Sequence, residues 1–200
     1  MAAEPTTVIP VSEQECTADT DEHNPQVTAE TIALRKVQGV LAGPAVIRTA
    51  QAMSKFGDHA IGWLAIGAVG ALVDRTRRGE WIASAAGVAA AHGVSIAVKR
   101  TVRRQRPLDP RIEVLVDTPS TLSFPSSHST STTAAAVLYG ELVRGGTTSR
   151  RLVSVLVPPM MASRLVLGVH YPSDVVAGSA LGGAVALGVR RYVKRWRNRG

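Results

Sequence analysis

Apolar runs without charge alternate with short basic segments over most of the chain. Runs of this kind, bounded by Lys and Arg side chains that can extend to a membrane surface, predict membrane-crossing helices. Several runs are shorter than the roughly 20 apolar residues of a full span, so a soluble all-helical bundle with Ala-rich core helices stays an alternative. Gly178 and Gly182, at GxxxG spacing, favour the membrane because small residues allow close helix packing in lipid. The runs cover residues 59–73, 81–98, 127–139, 152–169 (interrupted by Arg164) and 175–189.

The N-terminal part has a different pattern. Residues 1–30 are polar and acidic without apolar periodicity, which predicts disorder. Between Thr31 and Phe56 apolar residues recur at helical spacing among Arg and Lys, as expected of an amphipathic helix at a membrane interface. The predicted organisation is a disordered acidic tail (1–30), an amphipathic interfacial helix (31–57), a transmembrane domain (58–190) and a basic tail (191–200). The predicted fold class is all-α, a polytopic transmembrane bundle of five or six helices.

Charge narrows the choice of partners. The net charge is +8, and the acidic residues that precede Arg35 leave the rest of the chain more basic still. The basic residues lie between apolar runs, and with only 3 Trp, 3 Tyr and 2 Phe there is little aromatic surface for stacking bases. Nucleic acid is therefore not expected as a partner, whereas membrane lipid or a phosphate-bearing substrate fits. The single cysteine, Cys16, excludes an internal disulfide framework and a cysteine-based metal site.

Chemically active side chains cluster at the ends of the runs. If the intervening helices cross the membrane, the alternating direction of the chain brings three segments to one face. They are KRTVRRQRP with Lys99 and Arg106, FPSSH with Ser126, Ser127 and His128, and SRLVLGVHYPSD with Arg164, His170 and Asp174.

These residue types match the needs of phosphate chemistry. Lys99, Arg106 and Arg164 offer cationic donors for non-bridging oxygens, and backbone N–H groups of Ser126 and Ser127 at a helix N-terminus would extend the anion site. One histidine can attack phosphorus while the other protonates the leaving oxygen. Asp174 would fix the tautomer of His170.

The three segments resemble the signatures of the type-2 phosphatidic acid phosphatase superfamily, which are K-x6-RP, PSGH and SR-x5-H-x3-D. They occur in the same order and cover about residues 59 to 190. The one departure is Ser127, where the family usually has Gly, and its backbone N–H is retained.

The resemblance implies residue roles and a reaction. Lys99, Arg106, Ser126 and Arg164 would bind phosphate, His170 would form a phosphohistidine, Asp174 would orient it and His128 would be the general acid. Water would hydrolyse the intermediate, and neither a metal nor another cofactor would be required.

The resemblance also implies a phosphorylated lipid substrate and a location in the bacterial cytoplasmic membrane. Short Ala- and Arg-rich bacterial members of the family, which this chain resembles, are similar to enzymes of cell wall biosynthesis. Those enzymes act on polyprenyl-linked substrates such as decaprenylphosphoryl-5-phosphoribose. Phosphatidic acid, phosphatidylglycerol phosphate and undecaprenyl diphosphate stay alternatives. A vanadate-dependent haloperoxidase, which shares the anion site, is disfavoured by the short chain, and an inactive membrane scaffold by the complete set of catalytic residues.

The sequence leaves the orientation of the site and the oligomeric state open. Counting basic residues on either face of five spans favours an extracytoplasmic site. That orientation would require export of the N-terminal tail unless residues 38–56 also cross the membrane.

Overall fold

The computed structural model describes residues 28–144 and 146–197. All regular secondary-structure elements within these ranges are helices, which confirms the all-α prediction. The predicted disordered tail lies almost entirely outside the described residues. Short 3-10 turns at Asp58–Ala60 and Arg75–Arg77 flank the third helix. The α-helices are α1 (Ala29–Leu41), α2 (Pro44–Gly57), α3 (Ile61–Val73), α4 (Arg78–Val102), α5 (Ser127–Arg144), α6 (Gly146–Val166) and α7 (Pro172–Arg197).

The helix predicted over residues 31–57 is divided into α1 and α2. The division falls at Pro44, which lacks an N–H and disfavours helical backbone in the residue before it. Gly43 is accordingly extended, with φ −72° and ψ 155°. A second break follows α2, where His59 and Ala60 adopt positive φ values of 50° and 60°. These breaks allow α2 to contact α6 while α3 packs along α4.

Helix α5 is the centre of the bundle and packs against α4, α6 and α7. Its first turns, residues 129–132, carry hydroxyl side chains that are fully buried. Thr132 Oγ1 accepts a hydrogen bond from Trp63 Nε1 at 3.2 Å, and Thr130 Oγ1 donates to Ser126 O at 2.9 Å. Because neighbouring helices enclose α5, its polar half faces protein partners and not lipid.

Helix α7 approaches α5 closely through the predicted small-residue pair. A β-carbon on Gly178 would lie 2.5 Å from Ser126 O, and one on Gly182 would lie 2.2 Å from Thr130 O. Any larger side chain at either position would therefore separate the two helices. The GxxxG spacing serves packing within the bundle, next to the residues of the FPSSH segment.

Three helical segments among the described residues are long and apolar enough to cross a membrane. They are Pro44–Val73, which includes the break after α2, Arg75–Val102 and Pro172–Arg195. Apolar side chains such as Ile61, Leu72 and Val176 are exposed on these segments. Exposed apolar helix surface of this extent is typical of a protein that contacts lipid. The basic segment predicted as a tail continues α7 as helix through Arg197.

Candidate active site

A cavity of about 670 Å³ opens beside the N-terminus of α5 and the C-terminal end of α4. The loop between α4 and α5, the end of α2 with the 3-10 turn after it, the end of α6 and the turn between α6 and α7 also line it. Six of the eight predicted site residues line it, namely Lys99, Arg106, Ser127, His128, Arg164 and His170. The three sequence segments, separated by up to 71 positions, thus meet at one place. Asp174 lies behind His170, fully buried.

His170 lies in the tight turn between α6 and α7. Gly168 makes this turn possible, because its φ of +70° suits glycine and a β-carbon there would lie 2.2 Å from Glu113 O. The His170 ring is almost fully buried, with Nε2 3.5 Å from Arg106 Nη1 and Nδ1 3.5 Å from Asp174 Oδ2. At the second distance no hydrogen bond forms, and Nδ1 is buried without a hydrogen-bond partner. One ring nitrogen therefore faces the cation and the other the carboxylate.

Burial strongly lowers the pKa of His170, to about 3, and the charges of Arg106 and Lys99 act in the same direction. Asp174 opposes this shift without cancelling it. The imidazole is consequently neutral near pH 7 and keeps a lone pair for attack on an electrophile.

Asp174 is held by the first turn of α7. Pro172 occupies the first helical position, where its missing N–H has no cost. Asp174, two residues later, accepts a hydrogen bond from Tyr171 N at 2.8 Å through Oδ2. A carboxylate that reaches back to the residue before the helix in this way satisfies a free N–H and also complements the helix dipole.

The three predicted phosphate ligands are held mainly by neutral oxygens. Arg106 donates to Ser120 O at 2.8 Å and to Val169 O at 2.7 Å. Lys99 Nζ donates to Leu122 O at 3.0 Å. Burial lowers the pKa of Arg106 to about 10, which leaves it charged near neutral pH. Buried cations of this kind favour the entry of an anion that compensates their charge.

Helix α2 contributes a contact that sequence analysis missed. Arg164, which is 2% exposed, donates from Nη1 to Ser54 Oγ at 3.1 Å. His128 Nε2 lies 3.0 Å from Ser54 O and 3.3 Å from Asp58 Oδ1. Gly57 makes room for this ring, because a β-carbon there would lie 2.5 Å from His128 Cδ2. Ser54 is one small polar residue in an amphipathic helix, and nothing in the sequence distinguishes it.

The two serines of the FPSSH segment have different positions. Ser127 lines the cavity, and its Oγ is 2.8 Å from Ser95 Oγ. Ser126 is fully buried, its N–H donates to Asp174 O at 2.9 Å, and its Oγ is 3.2 Å from Ser129 Oγ. The Ser126 N–H that the sequence suggested for the anion site therefore joins α5 to α7 instead.

Sequence comparisons identify a family and relatives of this chain. Residues 80–198 match the PAP2 superfamily. A decaprenylphosphoryl-5-phosphoribose phosphatase of Mycobacterium tuberculosis strain H37Rv is 51% identical over 157 residues, which are 78% of this chain and 86% of the relative. The Mycolicibacterium smegmatis protein of the same name is 53% identical over 150 residues, 74% of this chain and 81% of the relative.

Two solved structures share the fold. The PAP2-type phosphatidylglycerolphosphate phosphatase of Bacillus subtilis superposes with a TM-score of 0.67 at 20% identity, over 85% of this chain and 89% of the other. LpxE of Aquifex aeolicus has a TM-score of 0.64 at 16% identity, over 84% of this chain and 98% of the other.

Proposed function

The chain belongs to the PAP2 superfamily, and we propose on this premise that it is a membrane phosphatase that hydrolyses the 5-phosphate of decaprenylphosphoryl-5-phosphoribose. The observation that carries the phosphatase activity is the cavity that His128, His170 and three cationic side chains share. The identity of 51–53% to relatives of that name supports the choice of substrate.

In this proposal Lys99, Arg106 and Arg164 bind the three non-bridging oxygens of the phosphate monoester. Each already has some donors fixed by protein oxygens, so the remaining donors are held in place before substrate arrives. The Ser127 N–H at the start of α5 adds a neutral donor. Because side chains supply the positive charge, we expect a chelator such as EDTA to leave the rate unchanged.

His170 Nε2 attacks phosphorus in the first step. A P–N bond forms, the bond between phosphorus and the ribose oxygen breaks, and His128 gives a proton to that leaving oxygen. We expect Asp174 Oδ2, which lies 3.5 Å from His170 Nδ1, to accept a hydrogen bond from Nδ1–H as the ring becomes positively charged and to stabilise that charge.

Water completes the reaction. His128, now neutral, takes a proton from the water molecule that attacks the phosphohistidine, and the P–N bond breaks. Inorganic phosphate leaves and His170 returns to its neutral form. The ribose product keeps its decaprenyl phosphodiester, since the site acts on the monoester alone.

We further propose five membrane crossings, α3 to α7, in the bacterial cytoplasmic membrane, with α1 and α2 at the end of the bundle that holds the site. The contacts of Ser54 with Arg164 and His128 support this position of α2. In a variant without Cys16, Thr76→Cys and Thr118→Cys should react with a membrane-impermeant maleimide from opposite sides. Labelling of both from the same side would contradict five crossings.

The substrate assignment is tested by measuring phosphate release when the purified protein in detergent is mixed with each lipid of a panel. The panel contains decaprenylphosphoryl-5-phosphoribose, phosphatidic acid, phosphatidylglycerol phosphate and undecaprenyl diphosphate. We expect the first to have the highest kcat/KM by at least about tenfold, a difference of about 1.4 kcal/mol in transition-state binding. A higher value for any other lipid would move the assignment to that lipid.

The nucleophile is tested by trapping the intermediate. Wild-type protein mixed with substrate labelled in the 5-phosphate and quenched in alkali, where phosphohistidine survives, should retain label. His170→Gln should retain none, while Arg75→Gln, an exposed substitution at the other end of α4, should label like wild type. Equal labelling of wild type and His170→Gln would exclude this residue as the nucleophile.

A further inference from the structure

We propose that Arg104 is a positioning residue for the His170–Asp174 pair and that Glu30 of α1 holds Arg104 in place. This inference rests on the proposed function, because it assigns a positioning role to a residue that lies behind the proposed nucleophile. Sequence analysis gave Arg104 no role in the site, since it is one of several arginines in a basic segment.

Arg104 joins three parts of the chain in one set of contacts. Its Nη1 donates to Asp174 Oδ1 at 3.0 Å and to Ser173 Oγ at 2.6 Å. Its Nη2 forms an ion pair with Glu30, and its guanidinium lies 4.1 Å from the centre of the Tyr171 ring. The guanidinium is planar, donates to a carboxylate on each side and has an aromatic ring against its face, so its rotation is restricted.

The two oxygens of Asp174 are thus fixed by different partners. Oδ1 accepts from Arg104, and Oδ2 accepts from Tyr171 N and lies 3.5 Å from His170 Nδ1. Rotation of the carboxyl group would break the Arg104 contact, so this contact keeps Oδ2 directed at the imidazole. Asp174 is fully buried whereas Arg104 is 30% exposed, so this ion pair lies at the boundary between the protein interior and solvent.

Glu30 completes the arrangement from the start of α1. Its Oε1 accepts from Ser173 N at 3.0 Å, a free N–H in the first turn of α7, and its Oε2 pairs with Arg104. Burial raises the pKa of Glu30, but hydrogen bonds from Ser173 and Arg104 outweigh it and leave the pKa below its ordinary value. Glu30 is therefore ionised near pH 7 and fixes both Arg104 and the end of α7.

The charges that surround Asp174 come from several elements. His170 precedes it in the turn, Arg104 and Arg106 face it from the loop after α4, and Lys99 acts from α4 itself. Arg104 is the one among these that forms an ion pair with Asp174 and is not a proposed phosphate ligand. Its removal would change the charge around Asp174 without removing a ligand of the substrate.

The test compares Arg104→Gln with Arg103→Gln. Arg103 is the neighbouring residue, and its exposed side chain takes no part in the contacts described above. We expect Arg104→Gln to lower kcat by about 10- to 100-fold, the cost of misplacing a catalytic group, with KM within about twofold of wild type. The acid limb of its pH–rate profile should move to higher pH, because an unpaired Asp174 holds a proton more readily. Arg104→Lys, which keeps one charge but cannot reach both carboxylates, should give an intermediate kcat.

A kcat loss in Arg104→Gln with an unchanged pH profile would reduce Arg104 to a structural anchor and overturn the proposal. Equal losses in the Arg103 and Arg104 variants would do the same. Wild-type protein that releases no phosphate would instead contradict the proposed function, and the two failures are therefore distinct.

If wild-type protein releases no phosphate, a measurement that does not depend on turnover still tests the role of Arg104. Nitrogen NMR of histidine-labelled protein, with the His170 signals identified by their loss in His170→Gln, reports which ring nitrogen carries the proton. We expect protonated Nδ1 in wild type and in Arg103→Gln and a mixture of tautomers in Arg104→Gln. Unchanged His170 signals in Arg104→Gln would overturn the proposal.

Glu30→Gln tests the contribution of α1. Glutamine can still accept from Ser173 N but has no charge for Arg104, so we expect a smaller fall in kcat, about two- to fivefold, in line with a partly exposed ion pair. In the double variant with Arg104→Gln the Glu30 substitution should add nothing, because both act through the same contact. Independent, multiplicative losses would exclude Glu30 from the arrangement.

Discussion

The two ends of α4 carry arginine-rich segments of similar composition in different environments. At one end, DRTRRGE (residues 74–80) is exposed, and Arg77 pairs with Asp74 within the same turn at 2.6 Å. At the other end, KRTVRRQRP (residues 99–107) directs Lys99 and Arg106 into a cavity that four histidines line, His128 and His170 among them. Water competes for the first set of charges, whereas Lys99 is 8% exposed and Arg106 is partly buried, so each of these two charges interacts more strongly with its surroundings. Composition alone does not separate an arginine that anchors a helix from one that binds a ligand.

The largest difference between the two ends should appear on removal of a buried cation. Arg164→Ala is expected to lower kcat/KM by about 100- to 1,000-fold, the range for loss of a preorganised donor to a transition state. Arg75→Ala at the exposed end should stay within about twofold of wild type. Steady-state phosphate release from the polyprenyl substrate measures both. Similar losses in the two variants would remove the distinction between the ends.

A smaller effect is expected from the hydroxyl that holds Arg164. Ser54→Ala removes the hydrogen bond to Nη1 and should lower kcat/KM by about tenfold, equivalent to about 1.4 kcal/mol for a bond to a charged group. The matched change Thr76→Ala removes a hydroxyl that donates to Asp74 at 2.7 Å at the exposed end. It should leave kcat/KM unchanged, and a comparable loss there would show that the effect is not specific to the cavity.

The two ends should also respond to different ranges of pH. The pKa of His170 falls from 6.5 to about 3 on folding, so the unfolded chain binds a proton first and stability is lost as pH falls from about 6.5. The pKa of Asp74 falls from 3.8 to about 2, mainly through its hydrogen bond from Thr76, so its contribution is lost only below about pH 4. Thermal unfolding in detergent between pH 7 and pH 4.5 should therefore be less pH-dependent in His170→Gln than in wild type. An Asp74→Asn variant with wild-type pH dependence in this range is the control.

The smallest effect belongs to an exposed ion pair away from the cavity. Arg190 Nη2 and Glu141 Oε1 are 3.0 Å apart, with both side chains at least 30% exposed. Glu141→Gln should change the free energy of unfolding by less than about 1 kcal/mol and leave kcat/KM unaltered, because solvent screens such pairs. A larger loss of stability would mean that this pair is shielded from solvent.

The features that the sequence determined are those that depend on short stretches of chain. Uncharged apolar runs bounded by basic residues predicted the helices of the bundle, and apolar residues at helical spacing predicted the helix over residues 31–57. The spacing of Lys99 and Arg106, the FPSSH segment, and the spacing of Arg164, His170 and Asp174 together identified six residues of the cavity wall and the carboxylate behind it. Their chemistry is a property of the side chains, so it could be read before the fold was known.

Only the tertiary structure decided which partners those residues have. Ser54 meets Arg164 across 110 positions of sequence, Glu30 meets Ser173 across 143, and the Ser126 N–H is used by Asp174. Contacts at such separations depend on how the helices pack, through close approaches such as that of Gly178 to α5, and no local pattern encodes them. The sequence therefore determines the identities of the reacting groups, whereas packing between helices that are distant in sequence determines their orientation.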